Sequence, residues 1–144
     1  GFESYHKELK ECEIRIAVYR DPIDKIISGF YYCQEHLPSL QNLDYFLDSY
    51  QEHLKNNYIR IHCRTNTAML GPDPRIYTHV WNMKEIDTKL LPFLEQLGGK
   101  KIQKTRLREH GTRIITEAQE AKAREVMAID YKNGWCKELI PAKM

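Results

Sequence analysis

The sequence predicts an α/β fold, rich in helix and built on a small, mainly parallel sheet. Three observations carry that expectation. Ile14, Ile16 and Val18 alternate with Arg15, Ala17 and Tyr19, the two-residue period of a strand with one buried face. Ile76-Tyr77-Thr78-His79-Val80-Trp81 is rich in β-branched and aromatic residues and reads as a second strand. Helical stretches separate the two, and strands joined by helical crossovers pair in parallel.

The elements follow in order. Gly1 to Lys10 is a polar start with no room for a whole substrate site. After the first strand the period changes: Asp21 is placed to cap a helix, Pro22 suits its first position, and Asp24 adds charge that the helix dipole favours. Gln34 to Leu40 reads as a loop containing Pro38. A second helix runs from an Asn42 cap with Leu43, Phe46, Leu47, Tyr50 and Leu54 as one apolar stripe. Asn56 to Thr67 shows no firm period and reads as a half-exposed loop, and Gly71-Pro72-Asp73-Pro74 is a strong turn signal. Beyond the second strand, Leu90, Leu91, Leu94 and Leu97 resume helical spacing. Pro92 requires that helix to start near Leu91 or to kink, and Gly98-Gly99 closes it. Thr116 and Gln119 form a capping box for a final helix carrying Ala123, Val126, Met127, Asp130 and Tyr131.

Size and composition narrow the classes. A chain of 144 residues fits a single domain, 1–144, able to bury about two-thirds of its unfolded surface. Hydrophobic residues at 42% and charged residues at 29% describe an ordinary soluble globule. No apolar run approaches the ~20 residues that cross a bilayer, and the first residues are too polar for a signal peptide, so no membrane contact is expected and the compartment stays open. Cys12, Cys33, Cys63 and Cys136 are scattered without a Cys-x-x-Cys pair, which argues against a metal site or a disulfide framework. A net charge of +2 argues against a general nucleic-acid binder but permits a local basic patch. That patch is Lys100 to Arg113, where Lys100, Lys101, Lys104, Arg106, Arg108 and Arg113 face the single acid Glu109.

The candidate site lies at the first strand's exit. Arg20 stands at its carboxyl end and Ser28 about two turns into the helix that follows. A guanidinium and a hydroxyl at the carboxyl edge of a strand make an anion site. The pattern Arg20-Asp21-Pro22, then Ser28, then Gly29-Phe30-Tyr31 resembles the 3′-phosphate-binding strand and helix of sulfotransferases that use 3′-phosphoadenosine-5′-phosphosulfate (PAPS). The likeness is greatest to the carbohydrate, heparan 2-O-sulfotransferase-like branch. It implies part of the P-loop-kinase-like sulfotransferase fold, and it covers the C-terminal half to two-thirds of such an enzyme.

The resemblance also implies function: transfer of a sulfuryl group from PAPS, as co-substrate, to a hydroxyl or amine acceptor such as a carbohydrate, without a metal. Arg20 and Ser28 are then the 3′-phosphate contacts. Lys104-Thr105-Arg106-Leu107-Arg108 resembles the basic loop that closes over the same end of the nucleotide, with Arg108 as the first candidate contact and Arg106 as the reserve. His62 or Arg64 lies where the family lines its acceptor side. The family's general base falls near Phe2, where His6 and Glu3 are the ionisable neighbours, and His6 is the candidate. Asn82 stands where the family has a Glu. No Gly/Ser/Thr-rich phosphosulfate loop with a lysine precedes Glu13, so this chain alone is expected to transfer sulfate very poorly. A non-catalytic nucleotide-binding or assembly module is the alternative. A small nucleic-acid binder is disfavoured because the basic stretch has no interleaved aromatics.

Overall fold

The structure, a computed structural model, describes residues 1–102, 113–137 and 140. Strands β1 (Ile16–Tyr19) and β2 (His79–Asn82) pair in parallel, with Ile16 opposite His79 and Tyr19 opposite Asn82. Helix α1 (Phe2–Leu9) precedes β1. The crossover between the strands carries α2 (Pro22–Gln34), α3 (Leu43–Asp48), α4 (Tyr50–His53), α5 (Asn57–Cys63) and α6 (Asn66–Leu70). After β2 come α7 (Leu91–Gly98), α8 (Glu117–Val126) and α9 (Ala128–Lys132). The helix-rich α/β class with a small parallel sheet is therefore as expected.

Several boundaries differ from the expectation, each for a local reason. The first strand starts at Ile16, not Ile14, whose side chain is exposed. The second starts at His79 because Pro74–Ile76 form a 3-10 turn, with the Asp73 carboxylate accepting from the Arg75 amide. The expected helix over 43–54 is broken at Ser49, whose hydroxyl bonds back to the Tyr45 carbonyl. The stretch read as a loop, 56–67, contains α5 and the start of α6. Asn56 caps the first through the amides of Tyr58 and Ile59, and Thr65 caps the second through Ala68. Helices this short do not develop a readable period. Asp21 was expected to cap α2, but its carboxylate accepts from Asn82 Nδ2 and the Lys137 amide instead. Pro92 sits in the first turn of α7, where a missing amide costs little, and Gly99 ends that helix in the left-handed conformation at φ 65°. The Thr116–Gln119 capping box forms as read, with reciprocal bonds of 3.0 Å.

Helix α2 is the centre of the core. Its buried Ile26, Ile27, Phe30 and Cys33 pack with Phe46, Leu47 and Tyr50 of α3 and α4, Ile59 and Cys63 of α5, and Ala123 and Met127 beside α8. A second cluster covers the sheet, with Ala17, Tyr19, Tyr77 and Val80 around Trp135, whose indole N–H donates to the Gly71 carbonyl at 2.7 Å. The helices that carry Ser28 and His62, α2 and α5, touch at Gly29. A β-carbon there would lie 2.4 Å from the His62 carbonyl oxygen and 2.9 Å from Cys63 Sγ. Only glycine allows that approach. Gly29→Ala gains about 0.5–1 kcal/mol of helix propensity, but overpacking against backbone costs roughly 1–3 kcal/mol, so the variant should be net destabilised. Urea denaturation checks this, and stability equal to or above the parent's would show that the helix pair separates freely.

Candidate anion site

The site assembles where β1 ends and α2 begins. Arg20 is half-buried, and its Nη2 donates to Ser28 Oγ at 2.8 Å across eight residues of chain. Ser28 faces Arg20 because α2 starts immediately after the strand and brings its second turn back over the strand's end. Among the described residues this is the one hydrogen bond that the guanidinium makes, so most of its donors remain for a ligand.

The Arg20 backbone is held separately. The His79 amide bonds the Arg15 carbonyl, and the alternation of a parallel ladder then turns Ala17 and Tyr19 toward β2 and Val18 and Arg20 away from it. At Arg20 both outward groups meet one side chain. Asn66 Nδ2 donates to the Arg20 carbonyl at 2.7 Å, and the Arg20 amide donates to Asn66 Oδ1 at 3.4 Å. Asn66 is fully buried and is itself held by Asp130, also fully buried. The Asp130 carboxylate accepts from the Asn66 and Thr67 amides at 2.8 Å each and from the Thr67 hydroxyl at 2.7 Å.

Charge gathers around these groups. Lys25, on α2 between Arg20 and Ser28, is half-buried, and burial pushes its ammonium below the ordinary value; the charges that act on it most are Asp130, Arg64 and Arg20. No hydrogen bond or ion pair engages the Lys25 ammonium among the described residues, although its backbone amide donates to the Asp21 carbonyl. Arg64 caps α5, and its Nε is buried without a hydrogen-bond partner. Burial raises the Asp130 carboxyl above the ordinary range, while the donors from Thr67 and Asn66 and the Lys25 charge pull it back. Lys25 thus lies within electrostatic reach of Arg20, Arg64 and the Asp130 carboxylate, whose hydrogen bonds go elsewhere.

The residues expected from the sequence divide into groups. Arg20 and Ser28 meet. His62 and Arg64 reach the same neighbourhood through α5: the Lys25 charge, after burial, lowers the His62 imidazole, and the ring packs on Tyr32 and Tyr58 at centroid distances of 4.4 and 4.8 Å. His6 sits on α1, where it packs on Phe2 and its Nδ1 lies 3.3 Å from the Glu3 carbonyl; among the described residues none of its contacts reaches Arg20 or Ser28. Arg106 and Arg108 lie outside the described residues. Arg113, which follows them, places its guanidinium 3.9 Å over the ring of Tyr31, one turn beyond Ser28 on α2. Asn82 caps the turn after β2 together with Glu85, whose carboxylate accepts from the Asn82 amide at 3.0 Å.

Lys25, Asn66, Thr67 and Asp130 were not anticipated. Lys25 was within reach of the sequence, since it lies one helical turn before Ser28 on the same side of α2. The other three carried no local signal, because Asp130 and its partners are joined across more than sixty residues of chain.

Two clefts are open among the described residues, neither of them lined by Arg20, Ser28 or Lys25. One of about 620 Å³ lies between α1, α4, α5 and the α8–α9 junction and is lined by Phe2, Tyr50, Leu54, Arg60 and Arg64. The other, about 410 Å³, lies at the carboxyl ends of both strands beside Tyr19, Asp21, Trp81, Lys84 and Lys137. Compared with known proteins, the chain matches no family model, no curated protein and no solved structure.

A lysine that loses solvation on burial, with Arg64 and Arg20 adding to the effect, destabilises the protein while it is protonated. Its depressed value means that the cost is fully present below the folded value and fades as pH rises toward the ordinary 10.5, because over that window the unfolded chain binds the additional proton. Lys25→Met should therefore be at least as stable as the parent at pH 7, and its advantage should shrink by pH 10. Denaturant titrations of both proteins at the two pH values test this; an advantage that grows with pH contradicts the assignment.

Proposed function

We propose that the Arg20–Ser28 pair binds the 3′-phosphate of PAPS or of its product, adenosine 3′,5′-bisphosphate (PAP), and that the protein belongs to the sulfotransferase class by chemistry. The observation that carries this reading is the 2.8 Å bond from Arg20 Nη2 to Ser28 Oγ at a strand-to-helix junction, with the charges of Lys25 and Arg64 in the same neighbourhood. A guanidinium oriented by a hydroxyl presents its remaining donors in a fixed plane, which suits the oxygens of a phosphate.

In the transfer, the acceptor oxygen or nitrogen bonds to sulfur, the bond from sulfur to the phosphate oxygen breaks, a base takes the acceptor proton, and PAP leaves. The residues on hand serve the binding end. Arg20, Ser28 and Lys25 hold the 3′-phosphate, which orients the nucleotide. From the basic stretch, Arg108, with Arg106 in reserve, is assigned to the same phosphate, and Arg113 at its end docks on Tyr31 of α2. His62 and Arg64, at the C-terminal end of α5, are assigned to the acceptor side, the acceptor being a hydroxyl or amine compound such as a carbohydrate. His62 is kept toward its neutral form by burial and by Lys25, the state in which an imidazole accepts a proton. The groups that stabilise charge on the leaving 5′-phosphate are not among those gathered here, which favours, as a second reading, a module that binds the nucleotide without turning it over.

Calorimetry with PAP tests the binding. Arg20→Ala removes a half-buried charge and its donors, and affinity should fall by roughly 2–4 kcal/mol. Equal affinity for Arg20→Ala and the parent refutes the assignment. A labelled-PAPS assay with sugar, phenol and amine acceptors separates the two readings, because turnover near ~1 per second lies in the enzymatic range and excludes a purely binding role.

A further inference from the structure

We infer that Asn66 is a positioning residue for Arg20: its carboxamide takes the place of a neighbouring strand at the one backbone position whose side chain meets the anion, and Asp130 locks it there. The inference deepens the 3′-phosphate reading and rests on it.

The argument begins with the sheet. A strand end normally frays, because its outward amide and carbonyl have no ladder partner. β1 is only four residues long, and Arg20 is the first residue beyond it. A freely moving backbone at Arg20 would spread the guanidinium over many orientations, and the bond to Ser28 alone holds only one of its nitrogens. Asn is one of the few side chains that present a donor and an acceptor in a plane, as the peptide group does. Here it uses both on a single residue, receiving the Arg20 amide and donating to the Arg20 carbonyl. That side chain has no freedom of its own: it is fully buried, and the backbone on which it stands is fixed by the Asn66 and Thr67 amides bonding to the two oxygens of Asp130. The Thr67 hydroxyl adds a further bond, and Asn133 Nδ2 donates to that hydroxyl at 3.2 Å. The path runs from the buried carboxylate of α9, through the start of α6, to the exit of β1. Asn66 itself does not need to touch the anion.

The consequence is specific. Loss of Asn66 should weaken anion binding only while Arg20 is present, since the effect passes through Arg20. PAP is the probe, titrated by NMR against the parent, Asn66→Ala, Arg20→Ala and the double variant, each first checked for a folded circular dichroism spectrum. Loss of both backbone contacts should weaken the dissociation constant for PAP roughly tenfold in the parent background. In the Arg20→Ala background the same change should have little effect. Asn66→Leu, which has nearly the same shape but no hydrogen-bonding groups, replaces Asn66→Ala if the smaller side chain leaves the protein unfolded. On the unaltered protein, the Arg20 amide should exchange slowly with deuterated solvent, and fast exchange overturns the proposal without any variant. Unchanged PAP affinity for the Asn66 variant, or an equal loss in both backgrounds, overturns it while the 3′-phosphate reading stands. A parent that does not bind PAP ends that reading, and this inference with it.

Discussion

The missing β-carbon of Gly29 is the constraint on which the rest depends. With the His62 carbonyl and Cys63 Sγ occupying the space that any other side chain needs, α2 and α5 pack backbone to backbone. Everything near the site follows from that distance. The thiols of Cys33 and Cys63 come within 4.0 Å inside the core, where burial raises both above the ordinary thiol range and leaves them inert. Tyr32 of α2 meets His62 of α5, and Lys25 of α2 comes under the influence of Arg64 at the end of α5. Moving the helices apart by the width of a methyl group would dilute the positive charge and loosen the core at once.

Much of the fold was legible because it rests on local chemistry. The strand before Arg20, the Pro22 helix start, the late start of α7 and the Thr116 capping box each depend on residues within one turn of one another, and sequence displays such neighbours directly. The Arg20–Ser28 pair was legible for the same reason, since a strand-to-helix junction fixes where the second helical turn falls. What was not legible is long-range or short-lived along the chain. Helices α5 and α6 are single short segments held by their caps and by α2, and Asp130 reads as one more polar residue in a helix until Asn66 and Thr67 are brought to it. The carboxylate of Asp21 was misassigned because capping is a local expectation, while the Asn82 and Lys137 groups that claim it come from distant parts of the chain.

Division of labour around Arg20 reconciles two demands that conflict on a single residue. A ligand-binding guanidinium must be aimed, yet its donors must stay unspent. Aim is obtained from the backbone through Asn66 and from a single side-chain bond to Ser28, so most of the guanidinium surface remains open. Arg15 shows the opposite arrangement five residues earlier on the same chain. Its Nε donates to the Ile76 carbonyl and its Nη1 to the Cys12 carbonyl, both at 2.6 Å, and it is thereby committed to holding loops together.

The same contrast decides whether the cluster is a structural ion-pair network or a place for an anion. In a structural network the buried carboxylate would take its hydrogen bonds from the cations beside it, and each cation would be satisfied by the protein. Asp130 takes them instead from the amides of Asn66 and Thr67 and from the Thr67 hydroxyl, all uncharged donors. Its charge still acts on Lys25 through space, which makes the pocket less costly to build, but it does not occupy the ammonium. The Lys25 ammonium and the Arg64 Nε are left without hydrogen-bond partners among the described residues, and Arg20 keeps most of its donors. Cationic groups with donors unspent on the protein contribute little to stability, and that arrangement is what the proposed anion-binding role requires.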